Sequence, residues 1–336
     1  MEKIRLFLLI SFTFLAASCV TPEAIIDYSA TSVPEESGLN FVQYTEDQDN
    51  VAGPHIKEFQ GKIDWYAPPL ISISPDGNSL AYNGLKDNRH NIFVKSTIGG
   101  RSVVQRTFRN NVLDMSFSPD GEKIVFTDAS SQGQDIKMIN TNSGSSIQQI
   151  TSGNYQDVGP RFSPNGQKIY FTRATRRSNN QGQEFQSFII WGFDLESSLF
   201  TQYTEGFTPN ITSDGKELII TRNNRTTGFG EIWKVNIDSG QETLILSDSE
   251  RGFSSPQISP AGDDIIIVGS TEATGTRPVN LDIYSVKMDG TGLTQHTFHP
   301  GQDVSPIWSP NGEHLFILSQ RGSEEGSFNV WRMNMQ

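Results

Sequence analysis

The chain has 336 residues, a formal net charge of −12 and 35% hydrophobic residues. So acidic a surface repels a phosphate backbone and argues against a duplex nucleic-acid partner. Cys19 is the single cysteine, so the fold needs neither an internal disulfide nor an oxidising compartment.

The N-terminus reads as a targeting signal. Residues 1–5 carry Lys3 and Arg5, and residues 6–15 are apolar but too short to span a bilayer comfortably. Ala16-Ala17-Ser18-Cys19 follows. Small residues before a cysteine, directly after an apolar run, resemble a bacterial lipoprotein signal. The resemblance implies removal of residues 1–18 and a lipid on the Cys19 sulfur. The alternative is a plain secretory peptide cleaved nearby, with Cys19 incidental. Val20, where a retained lipoprotein would carry Asp, resembles the outer-membrane-sorted class, facing the periplasm. Residues 20–53 contain no Lys or Arg but carry Glu23, Asp27, Glu35, Glu36, Glu46, Asp47 and Asp49. Such a stretch buries too little to offset its ordering entropy, and its like charges extend it. Residues 19–53 are therefore expected to be an acidic flexible tether, with the apolar residues 39–44 able to dock.

From residue 54 onward one hairpin is written six times. Ser74-Pro75-Asp76-Gly77, Ser118-Pro119-Asp120-Gly121 and Ser163-Pro164-Asn165-Gly166 come first. Thr212-Ser213-Asp214-Gly215 blurs the motif, and Ser259-Pro260-Ala261-Gly262 and Ser309-Pro310-Asn311-Gly312 restore it. Pro at the second position presets φ and Gly at the fourth tolerates a positive φ, so each copy is a tight turn. A β-rich run follows each one. Self-similarity at a period of about 44–50 residues marks an array or a propeller. Each repeat divides into four strands: an inner strand before the hairpin, a second after it, a third, and an outer one. Only five outer strands are found for six repeats. The missing one is expected at residues 55–60, pairing with residues 328–333 to close the ring and cover its open edge. The predicted fold is all-β: a six-bladed propeller over 54–336 with four-stranded antiparallel blades.

Asp157-Val158-Gly159-Pro160-Arg161-Phe162-Ser163-Pro164-Asn165-Gly166 and Asp303-Val304-Ser305-Pro306-Ile307-Trp308-Ser309-Pro310-Asn311-Gly312 resemble the repeat of TolB-type β-propellers. So does the run from Ile283 to Thr294, and Tyr284, Trp233 and Trp331 match the family's third-strand aromatic. The resemblance covers about 55–336 and implies six blades. The first two repeats lack the Asp-x-x-Pro lead-in, and the fourth hairpin lacks its Pro. TolB has a further N-terminal domain, whereas this chain has a short acidic stretch there, so activities of that domain are not carried over.

In such a ring the lead-in loops and the second-to-third loops share one face, and the hairpins lie on the other. The first face collects arginines: Arg161, Arg173, Arg176, Arg177, Arg222, Arg225, Arg277 and Arg321, together with Lys86, Arg89, Arg109 and Arg251. Guanidinium forks suit carboxylates, so this rim could hold an acidic segment of a partner. The structural alternative is that these arginines pair with acids of the blades themselves. Trp65, Tyr66, Tyr155 and Phe253 lie in or near the lead-in loops and are candidates for an aromatic rim; packing beneath neighbouring loops is the alternative for each. Residues 174–186 form the longest loop, either a binding loop or a mobile one. His296-x-x-His299 is the one histidine pair, but no further ligand spacing supports a metal site. No nucleophile elbow and no phosphate loop are present. The sequence thus points to a lipid-anchored, monomeric, non-catalytic envelope protein without cofactor that binds a protein or peptide. The alternatives are a polysaccharide-acting enzyme of lyase-like type and a glycan-binding surface module.

Overall fold

A computed structural model describes residues 26–53, 58–59, 62–63, 70–99, 102–130, 133–143, 146–178, 184–270 and 280–335. It is all-β apart from two single-turn 3-10 helices, Pro34–Glu36 and Asp47–Asp49. The hairpin motif explains its own chemistry. The Gly77 N–H donates to the Ser74 carbonyl at 2.8 Å, and the Ser74 hydroxyl accepts the Ser79 N–H at 2.9 Å while donating to Asp76. One hydroxyl therefore closes the turn and starts the next strand. Thr212 serves the blurred fourth copy in the same way. In the fifth copy Ala261 cannot accept, and Ser259 donates to Asp263 instead, at 2.9 Å.

The hairpins organise six four-stranded antiparallel groups among the described residues. The first is Ile71–Ile73, Ser79–Lys86, Arg89–Ser96 and Val103–Gln105. The second is Val112–Phe117, Lys123–Ala129, Gln134–Asn140 and Gln148–Gln149. The third is Gln156–Phe162, Lys168–Ser178, Glu184–Asp194 and Phe200–Glu205, and its strand ladder meets that of the second at a parallel bridge between Gln134 and Gln156. The fourth is Phe207–Ile211, Glu217–Asn223, Gly230–Asn236 and Glu242–Leu246, and the fifth is Phe253–Ile258, Asp264–Ser270, Leu281–Lys287 and Thr294–Gln295. Each inner strand lies beside the next, and the last, Asp303–Trp308, lies beside Ile71–Ile73. The second strands carry the apolar core between groups, with Leu80, Ile124, Ile169, Leu218, Ile265 and Leu315 all fully buried. On the hairpin face the turns interlock. A Cβ on Gly121 would lie 3.4 Å from Pro75, and one on Gly77 would lie 3.6 Å from Pro310. At Gly262, whose preceding hairpin has Ser213 in place of Pro, that space is open.

The sixth group corrects the expected closure. Its strands Asp303–Trp308, His314–Ser319 and Asn329–Asn334 are completed by Phe41–Gln43, in register Phe41 with Met333 and Gln43 with Trp331. The segment 55–60 does not take this place. Glu58–Phe59 pairs with Lys62–Ile63 in a short hairpin of its own, and residues 54–57 and 60–61 lie outside the described residues.

Over residues 26–53 the expected tether is likewise replaced by a docked strap. The Tyr44 N–H donates to the Val330 carbonyl and the Val330 N–H donates to the Thr45 hydroxyl, both at 2.8 Å. Farther along, the Ala52 N–H donates to the Asn83 carbonyl at 2.9 Å, and Asp49 pairs with Lys95 at 3.4 Å. The segment thus bonds to both the last and the first group. Acidic composition misleads here because Glu36 and Asp49 find Arg321 and Lys95, and Asp47 accepts from Asn329, which replaces repulsion with charge-assisted contacts.

Candidate partner-binding face

From the second group onward the inner strands carry a bulge just before the hairpin. In the third to sixth groups the residue ahead of the strand proline has a positive φ: Gly159, Thr208, Ser255 and Ser305. Such a φ is costly for a β-branched residue, and Thr208 is held there from two sides. Its hydroxyl bonds that of Thr221 at 2.8 Å, and its N–H donates to Thr172 of the preceding group at 3.2 Å. In the second group Asp114 takes the equivalent place, within the bulge but without a positive φ. It accepts the Gly159 N–H at 3.0 Å and the Thr127 hydroxyl at 2.6 Å. Burial pushes its carboxyl up to about 6. These contacts fix the inner strands and so the loops that leave them.

The expected arginine rim is largely internal. Arg173 grips Asp157, the lead-in acid of its own group, with two bonds of 2.7 and 2.8 Å. Its guanidinium also lies 4.2 Å from the Tyr155 ring centroid and 5.2 Å from that of Trp191. Arg222 forms a bidentate pair with Glu242 at 2.9 Å and lies over Trp233. Arg161 donates to the backbone carbonyls of Met115 and Pro160. Arg321 is fully buried between Glu36 and Asp303, at 3.1 and 2.7 Å, with the Phe41 ring 3.6 Å away. Arg225 alone of these is open, and it pairs with Glu205 at 3.1 Å. Phe253 is also corrected: it is fully buried and packs edge-on against Tyr284. Cys19, Trp65, Tyr66 and Arg277, and the side chains of Arg176 and Arg177, lie outside the described residues. Residues 174–186 are not a free loop over most of their length. The two long strands pair in register as far as Ser178 with Glu184.

The histidine pair is divided. His296 Nε2 bonds Ser285 at 2.8 Å. His299 Nδ1 accepts the Gly301 N–H at 2.9 Å, which leaves Nε2 to donate to the Ala30 carbonyl at 3.1 Å. Burial lowers both imidazoles below their usual range. Next to His299 and Arg321, burial and the neighbouring Asp303 push Asp282 up to about 8. This cluster binds the strap. Among the described residues no group of three or more His, Cys, Asp or Glu is placed to hold a metal ion.

Aromatic exposure is the signal that sequence reasoning undervalued. Phe108, Tyr155 and Phe298 are 63, 44 and 38% exposed. All three lie between the outer strand of one group and the inner strand of the next, on the lead-in side. They follow a buried Thr: Thr107, Thr151 and Thr297 each have the hydroxyl bonded to a third-strand N–H. That Thr anchors the loop, and the apolar residue beyond it is turned out. The spacing Thr-Phe in two of the three copies was readable in the sequence.

A family model for the TolB beta propeller domain matches residues 66–279. The chain belongs to the TolB beta propeller domain family. An uncharacterized protein of Agrobacterium fabrum is 26% identical over 78% of this chain and 88% of its own length. The Tol-Pal system protein TolB of Francisella tularensis subsp. mediasiatica is 27% identical over 71% of this chain and 53% of its own length. The chain thus spans about half the length of the TolB proteins it matches. Among solved structures, a putative TolB from Agrobacterium tumefaciens superposes with a TM-score of 0.57 at 21% identity, covering 82% of this chain and 94% of that one. An oligogalacturonate lyase from Vibrio parahaemolyticus reaches the same TM-score at 11% identity over 89% of this chain and 97% of its own, a likeness of fold alone.

Proposed function

We propose that this protein is a non-catalytic, monomeric binding scaffold of the bacterial cell envelope. It is a six-bladed propeller, closed by Phe41–Gln43, and anchored through lipid on Cys19 to the outer membrane, facing the periplasm. It captures a protein or peptide on the lead-in face. The observation that carries the reading is the set of exposed aromatics Phe108, Tyr155 and Phe298 on one side of a family scaffold. Aromatic side chains supply large contact area at low entropic cost and dominate binding energy at interfaces. The arginines contribute less than the sequence suggests, because Arg173, Arg222 and Arg321 are already neutralised. Kinship with proteins of the Tol-Pal system supports an envelope location. A lipid-anchored protein is held firmly only with more than one acyl chain, which a bacterial lipoprotein provides.

Crosslinking in intact cells followed by affinity capture tests the face. Phe108→Ser with Tyr155→Ser should abolish capture of the wild-type partner while thermal stability is kept. Equal capture by wild type and variant refutes the aromatic face. Cys19→Ser should move the protein from the membrane fraction to the soluble one, and a protein that stays membrane-bound refutes the lipid anchor. Turnover of an envelope polymer by the purified protein would overturn the non-catalytic reading.

A further inference from the structure

On the face opposite the aromatic rim, the first and last hairpins enclose a groove of about 280 Å³. Its walls come from both ends of the chain: Tyr44 of the strap, Thr97 and Ile98 of the first group, and His314, Phe316 and Arg332 of the last. We propose that this groove binds a carboxylate carried on a small apolar body, of the size and chemistry of a peptide's C-terminal residue.

Arg332 is held in register between Val42 and Phe316. Its Nε is buried and has no hydrogen-bond partner, and His314 Nδ1 is in the same condition. Among the described residues no carboxylate forms an ion pair with Arg332, although Arg173, Arg222, Arg225, Arg251 and Arg321 all have one. Buried polar nitrogens are nearly always satisfied, so these two orphans are unusual, but a ligand in the groove reaches only the exposed part of the Arg332 guanidinium. Arg332 lines the groove without a carboxylate partner among the described residues, and a guanidinium so placed fits a carboxylate. Asp76, the groove's own carboxylate, is occupied elsewhere. It accepts from the Ser74 hydroxyl and from the Asn78 N–H and side-chain amide at 3.0 and 3.1 Å.

The apolar part of the ligand is read from the walls. Tyr44 and Phe316 pack perpendicular with centroids 5.3 Å apart, and Arg332 lies 5.8 Å from the Tyr44 ring. Ile98, three-quarters exposed at 76%, forms the lip. A leucine-sized body would cover this lip and the aromatic wall while its carboxylate meets Arg332. The equivalent groove between the third and fourth hairpins is lined differently. There Lys168 replaces His314, Tyr170 replaces Phe316, and the residue opposite Tyr170 is Gly192 rather than an arginine. That groove is lined by two carboxylates, Asp214 and Asp238, against the seam's one, Asp76.

The test is a titration of the ¹⁵N-labelled full chain with N-acetyl-leucine, its amide, and inorganic phosphate. Saturable shifts of the Thr97 and Ile98 amides with N-acetyl-leucine are expected. The amide should bind about tenfold more weakly or less well still, the loss expected for one charge-assisted contact. Arg332→Gln should weaken N-acetyl-leucine by a similar factor, and Arg332→Lys by less. Ile98→Ser, on the exposed lip, keeps the test valid if Arg332 variants fold poorly; it should weaken N-acetyl-leucine and leave phosphate unaffected. Equal binding of acid and amide overturns carboxylate recognition. Phosphate binding as tightly as N-acetyl-leucine overturns the apolar half of the proposal, and an absence of shifts at the seam overturns it entirely.

Discussion

Replacing Glu36 with Ala strikes the strap where it is most deeply held. Glu36 is 2% exposed and Arg321 is fully buried, and the two share bonds of 3.1 Å at both guanidinium nitrogens. Glu36 also accepts the Phe298 N–H at 3.0 Å and the Val33 N–H at 3.2 Å. The substitution leaves Arg321 with Asp303 as its one paired acid, beside Ser319 and the Thr31 carbonyl, and orphans two backbone donors. Breaking a buried pair from one side costs about 3–5 kcal/mol, because the remaining charge stays desolvated. At about 2 °C per kcal/mol for a chain of this size, Tm should fall by roughly 6–10 °C. If the strap opens ahead of the rest, the loss appears first in hydrogen exchange. The Tyr44 and Val330 amides, which join strap to last group, should exchange at least about 100-fold faster, since each 1.36 kcal/mol is tenfold. Glu36→Gln, which retains hydrogen-bonding capacity without the charge, should lie between wild type and Ala. A Tm within about 1 °C of wild type, with unchanged exchange at those two amides, would refute the reading of this cluster as the clamp of the strap.

Three further outcomes follow from the same structure. Asp282 and Asp114 have folded-state pKa values of about 8 and 6, both above the unfolded value near 3.8, so the folded state binds more protons than the unfolded one in that range. These two carboxylates therefore contribute stability that is lost as pH rises from about 4, the Asp282 part persisting up to about 8, while His296 and His299, held below 6.5, contribute in the opposite sense below about 6.5. Asp282→Asn should remove the upper part of this slope in denaturant titrations; an unchanged slope excludes Asp282 as its source. Phe253→Ala should cost about 3–5 kcal/mol by opening a cavity against Tyr284, checked by equilibrium unfolding, and a loss below about 1 kcal/mol would show that Phe253 is not a core anchor. Ser213→Pro should stabilise by about 0.4–1 kcal/mol, since the fourth hairpin keeps the turn bonds of the others and Pro restricts the unfolded chain; a lower Tm would show that its backbone differs.

The candidate site was less legible than the scaffold. An arginine after the second strand looks the same in sequence whether it reaches solvent or an acid sixteen residues back, as Arg173 reaches Asp157. Composition gave a similar ambiguity for residues 26–53. Seven acids over 20–53 describe a self-repelling coil until Arg321, Lys95 and Asn329 are brought beside Glu36, Asp49 and Asp47. The exposed aromatics were partly readable from their position after a buried Thr, but exposure itself depends on which neighbouring loops cover them.

Local chemistry written into the chain determined the repeat. Ser, Pro and Gly at fixed offsets make the turn through one hydroxyl and two constrained φ angles, and the apolar runs after them make the second strands, whatever surrounds them. Tertiary structure alone decided which N-terminal segment completes the last group. Both 41–43 and 55–60 have enough residues to add a strand edge. The choice went to Phe41–Gln43 because the flanking residues Glu36, Tyr44 and Thr45 find a buried arginine, an aromatic partner and a backbone donor at the seam. Such contacts join residues almost 290 positions apart, as from Thr45 to Val330, and sequence periodicity carries no information at that range.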